Sequence, residues 1–182
     1  KKKEDSILRS KTKKSPAAVA CSALGTILLI FLVLACIPLT LPRIFGYQIY
    51  TVVSGSMEPA IPVGSLVYIS PTDPSEVEED DVIAFYGARD SASIVTHRVV
   101  SNSNVMGEFI TKGDANETED MNPVSYDNYI GKVVLSIPVL GGIAQVFTST
   151  PGKIIAGCVI GVAVLLHLLA SFIQKREQED RR

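Results

Sequence analysis

The sequence has no tryptophan and, in 182 residues, only three cysteines and two histidines. Each scarcity excludes something. Cys21, Cys36 and Cys158 all fall inside two long apolar runs, so the polar middle of the chain has no disulfide framework and no thiolates for a metal site. A hydrophobic core has to hold that middle together. Charge of either sign is not in large excess: 17 Lys/Arg against 19 Asp/Glu give a formal −2, so the total does not argue for a nucleic-acid partner. No internal repeat and no low-complexity tract is present, and the middle segment has no amphipathic helical pattern of ten or more residues. The length admits one domain of ordinary size plus membrane anchors, which rules out a large multidomain enzyme. The first residue is Lys, which is compatible with a start inside a longer chain.

Apolar residues, in contrast, are abundant. They make up 47% of the chain and its mean hydropathy is +0.29, too high for a water-soluble domain unless they are concentrated somewhere. They are concentrated in two runs. Ala17 to Leu41 covers 25 residues without a charge, and Ile154 to Ile173 covers 20 with His167 neutral. At roughly 1.5 Å per residue each can cross a hydrocarbon core of about 30 Å as a helix. The first run is longer than the apolar core of a cleavable signal peptide, so an uncleaved anchor is expected.

Seven Lys/Arg lie in residues 1–14, and Lys175, Arg176, Arg181 and Arg182 follow the second run. The positive-inside tendency places both ends in the cytoplasm, and the intervening segment on the other side of the membrane. The expected organisation is a basic cytoplasmic terminus (1–16), a transmembrane helix (17–41), an extracytoplasmic domain (43–152), a second transmembrane helix (154–173) and a cytoplasmic tail (174–182). Between Arg43 and Gly152 there are five basic and fourteen acidic residues, so overall charge would not hold this domain to an anionic surface.

Within it, runs rich in Val, Ile, Tyr and Thr alternate with turn residues. Strands are predicted at Tyr47–Val53, Ser65–Ser70, Asp81–Tyr86, Ser93–Val100, Val105–Lys112 and Tyr129–Ile137. Pro62-Val63-Gly64, Pro71 to Pro74, Asn102-Ser103-Asn104 and Asn122-Pro123 are among the expected breaks. The fold class is therefore mainly β: a small antiparallel β-domain flanked by two transmembrane helices. The acidic run Glu76 to Asp81 reads as a solvated loop rather than a cation patch.

Candidates for chemistry are few. His167 lies among leucines in the second apolar run, where a neutral imidazole bonded to a neighbouring helix carbonyl is expected in preference to a proton relay. His97, in Ile94-Val95-Thr96-His97-Arg98-Val99-Val100, is then the one histidine available to the β-domain as a base. Ser54 and Ser56, in Val53-Ser54-Gly55-Ser56-Met57-Glu58-Pro59, put two hydroxyls on a turn after a strand, where a substrate carbonyl can reach them. Thr111-Lys112-Gly113-Asp114 and the loop that continues to Asp120 supply carboxylates at the end of another strand. Serine, histidine and acid in that order suffice for acyl transfer.

The strings SGSMEP, THRV and KGDAN, in this order and with a second Asp six residues after the first, resemble the type I signal peptidases of the endoplasmic-reticulum kind. The likeness runs through the β-domain to the IPVLGG stretch at Ile137–Gly142. It implies that Ser56 is the nucleophile and that His97 stands where the bacterial serine–lysine branch has its base. Asp120, by spacing, or Asp114 would be the acid. The Ser56 N–H and the Ser54 hydroxyl would form the oxyanion hole.

Histidine, which ordinarily titrates near 6.5, suits a base at neutrality better than lysine near 10.4, and protonation should silence it on the acid side. Lys112 is the residue a serine–lysine reading would use. The implied activity is removal of signal peptides from exported preproteins after small residues, without metal or cofactor, with the lipid bilayer and secretion-machinery subunits as partners. The string DANETEDMNPV is nearer to bacterial members, so a plasma membrane is expected. The competing readings are a non-catalytic membrane scaffold and a self-cleaving serine–lysine protease on the same β-fold.

Overall fold

A computed structural model of the chain describes residues 15–87 and 93–180. The basic cluster of residues 1–14, together with Arg89, Arg181 and Arg182, lies outside the described residues. By internal packing the chain divides into two units, one running to Ile37 and resuming at Ser149, the other Pro38–Thr148.

The β-unit contains seven strands: β1 (Gln48–Thr51), β2 (Leu66–Ser70), β3 (Val82–Tyr86), β4 (Ile94–Ser103), β5 (Glu108–Lys112), β6 (Val124–Ser125) and β7 (Tyr129–Ile137). They form one curled antiparallel sheet in the order β1-β2-β7-β3-β4-β5-β6. The expected antiparallel β-domain is therefore present. β2 is buried at four of its five positions because both of its faces are covered. Val67 packs with Val52, Met57 and Ile61, while Leu66 and Tyr68 pack with Ala144 and Leu140. A third cluster joins Ile83 and Phe85 of β3 to Val99 of β4, Phe109 of β5 and Val124 of β6.

Several elements depart from the predicted strands. β5 begins at Glu108 rather than Val105, the two-residue β6 is an addition, and β4 runs on through Asn102 and Ser103, where a turn is expected. The Asn102 amide donates to the carbonyl oxygens of Pro74 and Val77, so the side chain satisfies a neighbouring loop while its backbone stays in the ladder. A short helix, Leu140–Thr148, follows the strained turn at Val139 (φ 67°) and rests on β1 and β2. At nine residues it is too short to give a long periodic pattern. Gly141 lets it approach the backbone of Gly64 and Ser65 so closely that a Cβ there would collide with both carbonyl oxygens. The acidic run is an exposed loop pinned by buried Val77, and Asp81 at its end pairs with Lys132 of β7 at 2.7 Å.

Numbering helices in chain order, α1 is Pro16–Ile44, α2 the short Leu140–Thr148 helix and α3 Thr150–Asp180. The long helices α1 and α3 are long and apolar enough to cross a membrane, and few of their apolar side chains are buried within the protein. A core helix would be covered instead. Both extend beyond the apolar runs, α1 to Ile44 through Pro38 and Pro42, and α3 across the charged residues after Ile173. In the helical unit the His167 ring packs against Gly25, and its Nδ1 lies 3.5 Å from the Ser22 hydroxyl rather than from a carbonyl.

Candidate active site

After β1 the chain leaves the sheet at Val52 and returns at Gly64, and the neck of this excursion is closed by Val52 N–H to Ser65 O and Gly64 N–H to Val52 O, both 2.9 Å. Inside it, Met57 is 1% exposed and plugs the core cluster of Val52, Ile61 and Val67. Ser56 precedes this plug and is half-buried, whereas Ser54 is exposed. The serine loop is thus fixed at its neck by backbone bonds and at its centre by an apolar side chain.

His97 is 8% exposed on β4, opposite Ile83 of β3. Its ring packs against Phe85 in a T-shaped arrangement, with centroids 6.1 Å apart and planes at 72°. Its Nδ1 lies 2.6 Å from Asp120 Oδ2. The same carboxylate oxygen accepts a 2.6 Å hydrogen bond from the Thr111 hydroxyl, and the Asp120 N–H donates to Thr111 O at 2.8 Å. Strand alternation explains the grouping: His97 and Val99 of β4 share a face with Phe109 and Thr111 of β5.

Arg98 and Lys112, paired in register, project from the other side of the two strands by the same alternation. Asp114 goes with them. Its carboxylate takes two bonds from the Arg98 guanidinium, at 2.8 and 2.6 Å, while Arg98 also donates to Asp80 O at 2.7 Å. The Asp114 hydrogen bonds hold the Arg98 guanidinium above its ordinary range. Glu79, Asp80, Arg98, Lys112 and Asp114 line one shallow depression.

The segment from Gly113 to Asp120 links these parts. Ala115 N–H donates to Ser56 O at 2.9 Å, and a Cβ on Gly113 would stand 2.6 Å from that same Ser56 oxygen. So His97 and Asp120 are directly joined, and Ser56 is fastened by its backbone to the loop that carries Asp120. Asp114 is bound to Arg98. Among the described residues no hydrogen bond joins the Ser56 hydroxyl to the His97 ring or to Ser54. The sequence reading passed over Thr111 and Arg98. The available signals were the strand alternation that puts Thr111 on the His97 face and a basic residue next to the histidine.

No protein-family model matches the chain. Signal peptidase I W of Bacillus subtilis (strain 168) is 43% identical over 91 residues, 48% of this chain and 46% of that protein. The signal peptidase complex catalytic subunit SEC11 of Verticillium alfalfae is 28% identical over 131 residues, 65% of this chain and 75% of SEC11. The chain is a relative of the type I signal peptidases. Its likeness extends to both the bacterial and the endoplasmic-reticulum kinds, because SEC11 of Pyricularia oryzae also aligns, 31% identical over 114 residues, 57% of this chain and 65% of that subunit. The aligned region spans about half the length of Signal peptidase I W. Ser56, His97, Asp114 and Asp120 all lie in the β-unit, Pro38–Thr148.

Proposed function

We propose that the chain is a membrane-bound serine endopeptidase that removes signal peptides from exported preproteins. The observation that carries this reading is the 2.6 Å contact between His97 Nδ1 and Asp120 Oδ2, on a loop that also grips the Ser56 backbone. A carboxylate at Nδ1 assigns the ring proton to that nitrogen and leaves Nε2 as the lone-pair base. Ser56 Oγ attacks the scissile carbonyl while His97 Nε2 takes its proton. The Ser56 N–H and the Ser54 hydroxyl hold the oxyanion, and the imidazolium returns the proton to the leaving amine. Water then attacks the acyl-enzyme ester with the same ring as base, releasing the product acid and restoring Ser56. The Ser56–His97 hydrogen bond is completed with substrate in place, since such bonds are commonly loose in free enzymes.

Two sheet margins suit an extended peptide. Among the described residues β1 pairs with β2 alone, and Ile94–His97 of β4 pairs with β3 but lies beyond the end of β5, so both margins suit an added strand. Small side chains before the cut, preprotein substrates and further subunits of a secretion machinery belong to this proposal, as does the orientation with both termini cytoplasmic and residues 43–152 outside. Anchoring in a shared membrane would raise the effective concentration of enzyme and substrate for each other.

Asp120 is the acid of choice, because Asp114 is engaged by Arg98. Lys112 as base is disfavoured by its position across the strands from His97. The test is cleavage of a preprotein in detergent or vesicles by the wild type and by Ser56→Ala, His97→Ala, Asp120→Ala and Lys112→Ala. Asp120→Ala should lose about 10⁴ in turnover and the Ser56 and His97 variants at least as much, with Lys112→Ala close to wild type. Cleavage by Ser56→Ala at the wild-type rate, or loss in Lys112→Ala with His97→Ala active, would overturn the assignment.

A further inference from the structure

Thr111 has no part in the serine, histidine and acid scheme, yet it is fully buried and holds Asp120 at both ends. Its carbonyl receives the Asp120 N–H at 2.8 Å, and its hydroxyl donates to Asp120 Oδ2 at 2.6 Å, the same oxygen that faces His97 Nδ1. A hydroxyl has one proton to give, and here it goes to the carboxylate. We infer that Thr111 is a positioning residue for the proposed reaction, its hydroxyl fixing which Asp120 oxygen faces His97 and in what plane.

The inference rests on the signal-peptidase reading of the site and adds a fourth member to it. A carboxylate on a loop can turn about its last bond and offer either oxygen. Two donors converging on Oδ2, one from β4 and one from β5, remove that freedom. The result is an imidazole held in a single tautomer before substrate arrives, with no reorganisation during the reaction. Among the described residues Asp120 is the charged group paired with the ring, and Phe85 packs against it. Arg98, Lys112 and Asp114 line the depression across the strands.

The experiment compares full-length wild type, Thr111→Ser and Thr111→Val in detergent, with Ser56→Ala alongside, measuring kcat and KM for preprotein cleavage and, separately, thermal unfolding. Thr111→Val, which keeps the shape and removes the hydroxyl, should lose about tenfold or more in kcat with KM little changed. Thr111→Ser should restore kcat. Wild-type kcat in folded Thr111→Val would overturn the inference while leaving the reading of Ser56 and His97 intact. So would an equal loss in Thr111→Ser, whatever the unfolding temperatures, because the hydroxyl would then not be the active feature. Undiminished cleavage by Ser56→Ala would instead remove the reading on which this inference rests.

Discussion

Gly113 shows how little space separates the serine loop from the loop that carries Asp120. A Cβ at this position would stand 2.6 Å from Ser56 O and 2.8 Å from Asn116 Nδ2; the Asn116 side chain can swing aside, but the contact with Ser56 O cannot be relieved without moving a backbone. Gly113→Ala should displace the serine loop, and a misplacement of about 1 Å at a reacting group can cost about a hundredfold in rate. The expected outcome is a loss of preprotein cleavage far out of proportion to the change in unfolding temperature, since overpacking of this kind costs about 1–3 kcal/mol. Cleavage and thermal unfolding measured on one preparation would check it. Met57, one position after Ser56, acts from below. Met57→Ala should destabilise by about 2–5 kcal/mol through the cavity it leaves among Val52, Ile61 and Val67, read as a lower denaturant midpoint.

β7 carries a pH-dependent element of stability. Tyr129 packs its ring on Phe109 at 5.4 Å, and among the described residues its buried hydroxyl has no hydrogen-bond partner. Burial, with the Asp81 and Asp73 carboxylates adding to it, pushes the phenol up to about 12. An unfolded tyrosine ionises near 10, so above that pH the unfolded chain releases a proton that the folded one keeps. The stabilisation is therefore complete below about pH 10 and declines as pH rises towards 12. Tyr129→Phe should match or exceed wild-type stability at neutral pH and lack this alkaline decline, as followed by denaturant midpoints from pH 8 to 11. A parallel decline in both proteins would show that another group is responsible.

The division of the chain into two units carries a prediction for the molecule as a whole. The unit Pro38–Thr148 holds the seven strands, their three apolar clusters and the short helix that covers β2. A fragment of residues 38–148 should unfold cooperatively in dilute buffer, whereas a gradual, non-cooperative melt would mean that the helical unit supplies part of its core. The exposed apolar side chains of α1 and α3 should carry the full chain, but not the fragment, into the membrane fraction through alkaline extraction.

Local sequence was sufficient for much of this. Apolar run length specified α1 and α3, since a helix long and apolar enough to cross a membrane needs only continuous greasy residues. β-branched and aromatic content marked six of the seven strands, with Tyr129–Ile137 found residue for residue. His97 stood out as the one histidine of the β-unit, and Ser54 and Ser56 because their turn follows a strand. What sequence left open was which aspartate meets the imidazole. Asp114 and Asp120 sit on one loop, six residues apart, and their chemistry is the same. Only the folding back of that loop, through Asp120 N–H to Thr111 O, sends one carboxylate to His97, while Arg98 captures the other. β6 and α2 escaped notice for a related reason: two residues and nine are too few for a periodic signal. Such short elements are stabilised by the surface they rest on, and that surface exists only once the sheet has curled.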